Sequence, residues 1–397
     1  MKQIENVLIC IMGLSMAWGE QLNVINPLVS KIFVIAGVLL FLILVIESLG
    51  AGKKRVLNPM NTWFWLTLST ILLVLFLRFD EISSIKESSE IIDKFKIPIF
   101  LIILWSLCSC FQSNSKLITL FLLSFLLSFI ATAPFGVDVE YEFATRFAGT
   151  YANPNTYAVE CVFAVYASLY LLSHGRFKYF YYIAILIAVY YLLRTGSRGA
   201  FSSLSIGVAL LTMLHSTAKQ KVAIFSVVGI MLLIVSSSSI LASYGVLDRL
   251  FEKSYSGNIR LTIWASYLSN IDMFFWIGMK EENFQLINHF TPHNSFLGLW
   301  VRYGIFLLIS YITFYILLFI KSIIIFFIKK SKSTDRVIIA MFFSLTQSGM
   351  TMENTPQRDT WVILALVFTI ITSYAQYKKI SSNGISTNYK KINKSVE

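Results

Sequence analysis

Apolar residues run through this chain in long unbroken blocks separated by short clusters of charge. Twelve blocks, near 5–19, 28–48, 60–77, 96–111, 117–133, 157–173, 179–194, 200–215, 221–243, 295–319, 337–350 and 360–376, read as helices that cross a bilayer, which takes about 20 residues each. The first and eleventh are the shortest of the set. A membrane barrel strand would alternate polar and apolar positions over about ten residues, and these blocks do not. The pattern predicts an all-α fold, a polytopic membrane helical bundle of about 12 transmembrane helices over residues 1–376. A polar tail over 377–397, rich in Ser, Asn and Lys, is expected to be disordered or to lie near anionic lipid.

Composition agrees with the pattern. Of 397 residues, 56% are AVILMFWYC and 14% are charged, whereas a soluble domain has about 45–50% and about 25%. A soluble enzyme and a disordered chain are both excluded, and little length remains for a separate soluble domain. The net charge of +12 would suggest nucleic acid in a soluble protein. Here its division between the two faces of the membrane carries the information, and no nucleic-acid partner is expected. One face receives 19 of the 33 Lys and Arg residues, among them Lys53, Lys54, Arg55, Lys329, Lys330, Lys378 and Lys379. By the positive-inside rule both termini are cytoplasmic, and the connections 78–95, 134–156, 194–199, 244–294 and 351–359 face outward. The first apolar block has no convincing cleavage site before Glu20 and reads as a retained helix. Segment 78–95 carries Ile82, Ile85 and Ile92 among charges and reads either as a short surface helix or as a solvated face. Cys10, Cys108, Cys110 and Cys161 all lie in apolar stretches, as small hydrophobes rather than metal ligands or disulfide partners.

The outward connections hold the candidate chemistry. The connection 244–294 is too long for a turn and is the leading functional element. It contains SGNIRLTIW at 256–264, in which Ser256, Gly257 or Asn258 would cap a helix that shows Arg260 and, one turn later, Trp264. Such a helix start suits a phosphate; the alternative is an Arg and Trp that anchor the helix to lipid headgroups. It also contains TPHNSF at 291–296, where His293 can titrate near neutral pH and Asn294 can orient a ring or a sugar hydroxyl. His289 with Glu281 or Glu282 makes a weak metal set. Arg194 and Arg198 flank Thr195, Gly196 and Ser197 in RTGSR, and paired cations at the mouth of adjoining spans call for anions or water, the alternative being snorkelling. Asn153 and Asn155 of NPN, preceded by Arg146, could bind sugar hydroxyls or cap the sixth helix, with Asn155 as the cap. Arg358 in ENTPQRD reads as an interface anchor by the same reasoning. Arg302, nine residues beyond His293, would face away from it on an ideal helix and adds only a further substrate-binding candidate.

Four of these motifs, YANPN at 151–155, RTGSRGAF at 194–201, SGNIRLTIW at 256–264 and HNSFLGLWVRYG at 293–304, together resemble the bacterial O-antigen ligase and O-antigen polymerase superfamily of integral membrane glycosyltransferases. The resemblance covers mainly residues 150–310. It implies a bundle of the lipid-linked sugar transferase type (GT-C-like), in the bacterial inner membrane with its site facing the periplasm. It also implies that Arg198, Arg260 and His293 form the working site. The donor would be a glycan on undecaprenyl pyrophosphate and the acceptor lipid A-core, with inversion at the anomeric carbon and without metal or cofactor. A polymerase, joining a second lipid-linked repeat unit instead, is the alternative. A flippase or transporter of the same lipid is a further one, weakened by the lack of paired broken helices.

Overall fold

A computed structural model describes residues 2–19, 21–22, 28–51, 58–77, 88–141, 144–173, 177–215, 255–279, 292–328, 331–351 and 357–382. In hydrocarbon a backbone must satisfy its own polar groups, so continuous apolar runs fold as helices. They do so here as α1 (Lys2–Met16), α2 (Ile32–Ala51), α3 (Asn58–Leu77), α4 (Ser88–Ser113) and α5 (Lys116–Thr132). A hairpin follows, β1 (Val137–Tyr141) and β2 (Ala144–Gly149). Then come α6 (Pro154–Leu172), α7 (Lys178–Thr195), α8 (Arg198–His215), α9 (Tyr255–Ser269), α10 (Ser295–Tyr303), α11 (Ile305–Phe327), α12 (Ser333–Thr351) and α13 (Arg358–Ser382). Among the described residues five helices are long and apolar enough to cross a membrane: Phe95–Ser113, Lys116–Phe135, Pro154–Leu172, Ile305–Phe327 and Arg358–Ala375. The architecture is helical and multi-pass.

Several expectations need correction. The connection 134–156, expected as a loop, holds a two-stranded antiparallel hairpin within the otherwise all-helical architecture. The expected tenth span, 295–319, is two helices broken at Gly304, whose φ of +82° no side chain adopts readily. Residues 88–95 belong to the start of α4 and do not form a separate surface helix. Ser256, Gly257 and Asn258 lie inside the first turn of α9 rather than ahead of it. The expected ninth span 221–243, residues 78–87 and 244–254, and the tail from 383 lie outside the described residues.

α6 is the axis of the bundle. Residues from Tyr157 to Ser168 are buried on every side of it, and it packs against α5, α7, α8 and α12. α13 is buried from Asp359 to Ile371 and lies along α4, while α1 packs on α2 and α5. Polar links cross the interior where small residues admit them. Tyr166 Oη and Ser344 Oγ are 2.7 Å apart, Ser344 Oγ donates to the Ser203 carbonyl at 2.8 Å, and Gln347 Nε2 donates to Ser202 Oγ at 2.9 Å. Gly207 makes this approach possible, since a Cβ there would lie 1.8 Å from Tyr166 Oη and 2.3 Å from Ser344 Oγ. At the end of α1, Arg358 donates to the carbonyls of Ser15 at 2.8 Å and Trp18 at 2.7 Å. It is therefore a cap between helices and not the interface anchor expected of it, because the carbonyls at the end of α1 lack intrahelical donors and lie within its reach.

Gly207→Ala is expected to destabilise the bundle by about 1–3 kcal/mol through overpacking, read as a lower melting temperature in detergent. Adding Tyr166→Phe, which removes the nearest atom, should recover part of that loss; no recovery would show that the Tyr166 hydroxyl on α6 does not limit the space at Gly207.

Candidate functional site

Among the described residues, parts of 134–156, 194–199 and 357–359 come together at one end of the bundle. There α1 stops, the hairpin lies against the start of α6 and the end of α7, and α13 begins. α7 ends in a left-handed cap at Gly196, φ +60°, whose N–H donates to the Leu193 carbonyl at 3.0 Å. The Ser197 N–H donates to Thr195 Oγ1 at 3.2 Å, and α8 starts at the next residue, Arg198. A turn this short fixes the chain on both sides of Arg198. Arg194, on the last turn of α7, donates to both carboxylate oxygens of Asp138 on β1 at 3.0 Å. Its guanidinium carbon stands 4.4 Å over the Phe147 ring.

Arg260 enters from α9 and is half-buried. Burial, and then the charge of Arg198, push its pKa below the usual arginine value. Arg198, some sixty residues away in sequence, therefore lies near enough for its charge to act on Arg260. Burial and that neighbouring charge raise the cost of keeping Arg260 charged, and an anion beside it would lower that cost.

His293 is tied to the same unit as Arg260. α9 packs on α10 through Ile263, Tyr267, Phe274, Met279 and Val301. Trp264, one turn after Arg260, donates from Nε1 to the Pro292 carbonyl at 2.7 Å. The chain from Phe275 to Met279 crosses the break after α10. There the Met279 N–H donates to the Val301 carbonyl at 2.6 Å and the Ile305 N–H to the Phe275 carbonyl at 2.8 Å. His293 itself has φ +50°, a left-handed conformation that costs a side-chain-bearing residue roughly 1–2 kcal/mol. Strain of this kind persists where the surroundings impose it, and such positions gather at functional sites. Asn294 then caps α10, its Oδ1 accepting from the N–H groups of Phe296 at 2.9 Å and Leu297 at 3.0 Å. Its Nδ2 donates to the Met350 carbonyl at the end of α12 at 3.3 Å.

The remaining candidates are placed as follows. Asn153, not Asn155, caps α6, its Oδ1 accepting from the Asn155 N–H at 2.8 Å; Pro154 takes the first helical position, where its missing N–H is harmless. Asn155 Oδ1 instead accepts from Arg146 Nη2 at 2.9 Å. Arg302 lies near the end of α10, where the chain passes Gly278 so closely that a Cβ there would lie 2.3 Å from the Arg302 carbonyl. His289, Glu281 and Glu282 lie outside the described residues. Among the described residues no three His, Cys, Asp or Glu side chains gather as a metal-binding group, and the four cysteines are free thiols.

Sequence reasoning missed two groups that hold the site in shape. Trp264 was read as a lipid anchor or helix face, and nothing in its spacing announces the bond to Pro292. Arg146 and Asp138 lie in a stretch whose alternation, Val137, Val139 and Tyr141 against Asp138 and Glu140, is the period of a strand.

With this geometry in place, likeness to known proteins can be read residue by residue. Among curated proteins nothing matches the chain. Residues 183–312, about a third of the chain, match the Wzy_C family, described as O-Antigen ligase. The matched segment contains Arg194, Arg198, Arg260, His293, Asn294 and Arg302, and leaves Asn153 and Asn155 outside. It supports an enzyme of the general O-antigen ligase or polymerase type.

Proposed function

We propose that the protein is an O-antigen ligase acting at the periplasmic face of the bacterial inner membrane. It moves a glycan from undecaprenyl pyrophosphate to lipid A-core. The observation that carries this reading is the likeness of residues 183–312, which hold Arg198, Arg260 and His293, to the O-Antigen ligase family, together with the charge of Arg198 acting on the half-buried Arg260. A diphosphate answers that arrangement, because guanidinium groups match phosphate oxygens in shape and charge. As the acceptor hydroxyl attacks the anomeric carbon, the bond from that carbon to the diphosphate oxygen breaks and the electron pair leaves with the diphosphate. Arg198 and Arg260 stabilise the charge that grows there. His293 orients the hydroxyl and takes its proton, which requires a neutral imidazole at the moment of attack. A single displacement inverts the anomeric centre, and the donor is already activated, so neither metal nor cofactor is required.

Asn294 presents His293 and could meet the acceptor sugar, with Arg302 behind it. Arg194 would reach the donor only by exchanging Asp138 for it. Asn153 and Asn155 contribute from the start of α6, chiefly by shaping the wall. A polymerase that uses a second lipid-linked repeat unit shares every donor step, and the likeness to the O-Antigen ligase family at 183–312 accommodates both. Transfer of preassembled polymer to lipid A-core by the purified protein supports the ligase; chain extension without lipid A-core would establish the polymerase. A flippase would move the lipid without breaking the glycosidic bond.

Arg198→Ala and Arg260→Ala are each expected to reduce transfer by about 10²-fold or more while the protein inserts normally, in keeping with the loss of one preorganised charge donor. His293→Asn is the sharper test, since Asn tolerates left-handed backbone. Its melting temperature should stay near that of the parent while transfer is lost, and full activity would defeat the proposed acceptor role. Trp264→Phe removes the hold on Pro292 and should lower kcat about ten- to a hundred-fold by misplacing His293, with KM for the donor little changed.

A further inference from the structure

We propose that Arg146 is a positioning residue for this site, setting where Arg198 points by fastening the α7–α8 turn to α6. The inference rests on the reading of Arg198 as a donor-phosphate ligand and adds a part that this reading does not contain. Arg146 lies on β2, opposite Val139, and is 9% exposed. Its Nε donates to the Thr195 carbonyl at 2.7 Å and its Nη2 to Asn155 Oδ1 at 2.9 Å. The first acceptor is an end carbonyl of α7, and the second is the side chain of a residue in the opening turn of α6. One planar fork therefore joins three elements at the point where the chain reverses.

The turn is fastened from within as well. Thr195 Oγ1 donates to the Leu192 carbonyl at 2.6 Å and accepts from the Ser197 N–H. Gly196 lies against the Arg146 guanidinium, since a Cβ there would stand 3.7 Å from Nε. From the Thr195 carbonyl to Arg198 are three residues, of which Thr195 and Gly196 touch the clamp or bond to their own helix. A displacement of the turn moves the first residue of α8, and Arg260, carried on a separate packed unit, cannot follow it. Two like charges resist approach, so their spacing depends on the frame behind them. Lys cannot replace the fork, because its single ammonium has no fixed geometry to serve both acceptors.

The test uses the full chain in nanodiscs, with farnesyl diphosphate as the binding probe and lipid-linked glycan as the donor in steady-state transfer. The variants are Arg146→Lys, Arg146→Ala, Asn155→Ala, Arg198→Ala and the double variant Arg146→Ala/Arg198→Ala. Arg146→Lys is expected to insert and melt near the parent yet weaken diphosphate binding about tenfold, the scale of one lost charge-assisted bond. Asn155→Ala, which removes one arm, should weaken it less. The double variant should bind no worse than Arg198→Ala alone, because Arg146 acts only through Arg198. If Arg146→Ala does not fold, the Lys and Asn155 variants decide. Parent-like binding by Arg146→Lys, or effects of Arg146 and Arg198 that multiply, would overturn the positioning role while leaving the donor site standing. A parent protein that binds no diphosphate at all would overturn the donor site, and this inference with it.

Discussion

The last turn of a helix leaves carbonyl groups with no donor in the helix itself, and this bundle depends on how they are satisfied. Arginine is the recurrent answer. Arg358 takes two carbonyls at the end of α1, Arg146 takes one at the end of α7, and Arg336 takes the Ile328 carbonyl just past α11. Helix starts are closed by asparagine instead, Asn153 for α6 and Asn294 for α10. These caps place the chain segments that carry the proposed chemistry, so the groups that keep the fold intact also determine where reactive groups stand.

Three of the cations at the site end serve the fold directly. Arg146, Arg194 and Arg358 are each held by a carbonyl or carboxylate oxygen within the protein. Arg260 meets the charge of Arg198. Arg198 and Arg260 belong to different parts of the structure, one at the α7–α8 turn and one on α9, which Trp264 ties to Pro292 beside His293. An anion seated between them would bridge those units and bring the acceptor side of the site to the donor side.

Much of the helical framework was legible because a bilayer forces apolar length into helices. The blocks near 117–133, 157–173 and 179–194 fall within a few residues of α5, α6 and α7. Hydropathy fails where it does not change: the apolar run continues through Gly304, so the break between α10 and α11 could not be seen in it. The hairpin was hidden for the opposite reason, since Asp138 and Glu140 marked the stretch as polar connection and obscured the two-residue alternation beneath. At the candidate site, Arg198, Arg260 and His293 were legible as candidates by residue type. Their pairing was not. The approach of Arg198 to Arg260 depends on how α9 docks on α10, and spacing along the chain carries no trace of that docking. Arg358 was misread because a cation at a span boundary looks the same whether it meets lipid or the end of another helix.

The bond from Arg358 to α1 also bears on the order of assembly. Arg358 follows Trp18 by 340 residues, and ribosomes deliver the chain from its amino end. The end of α1 is therefore placed in the membrane long before the side chain that completes it has been synthesised. Until α13 arrives, those carbonyls must be met by water, headgroups or an insertion factor. A helix made early is thus completed late, which makes biogenesis of this protein sensitive to the fate of α13.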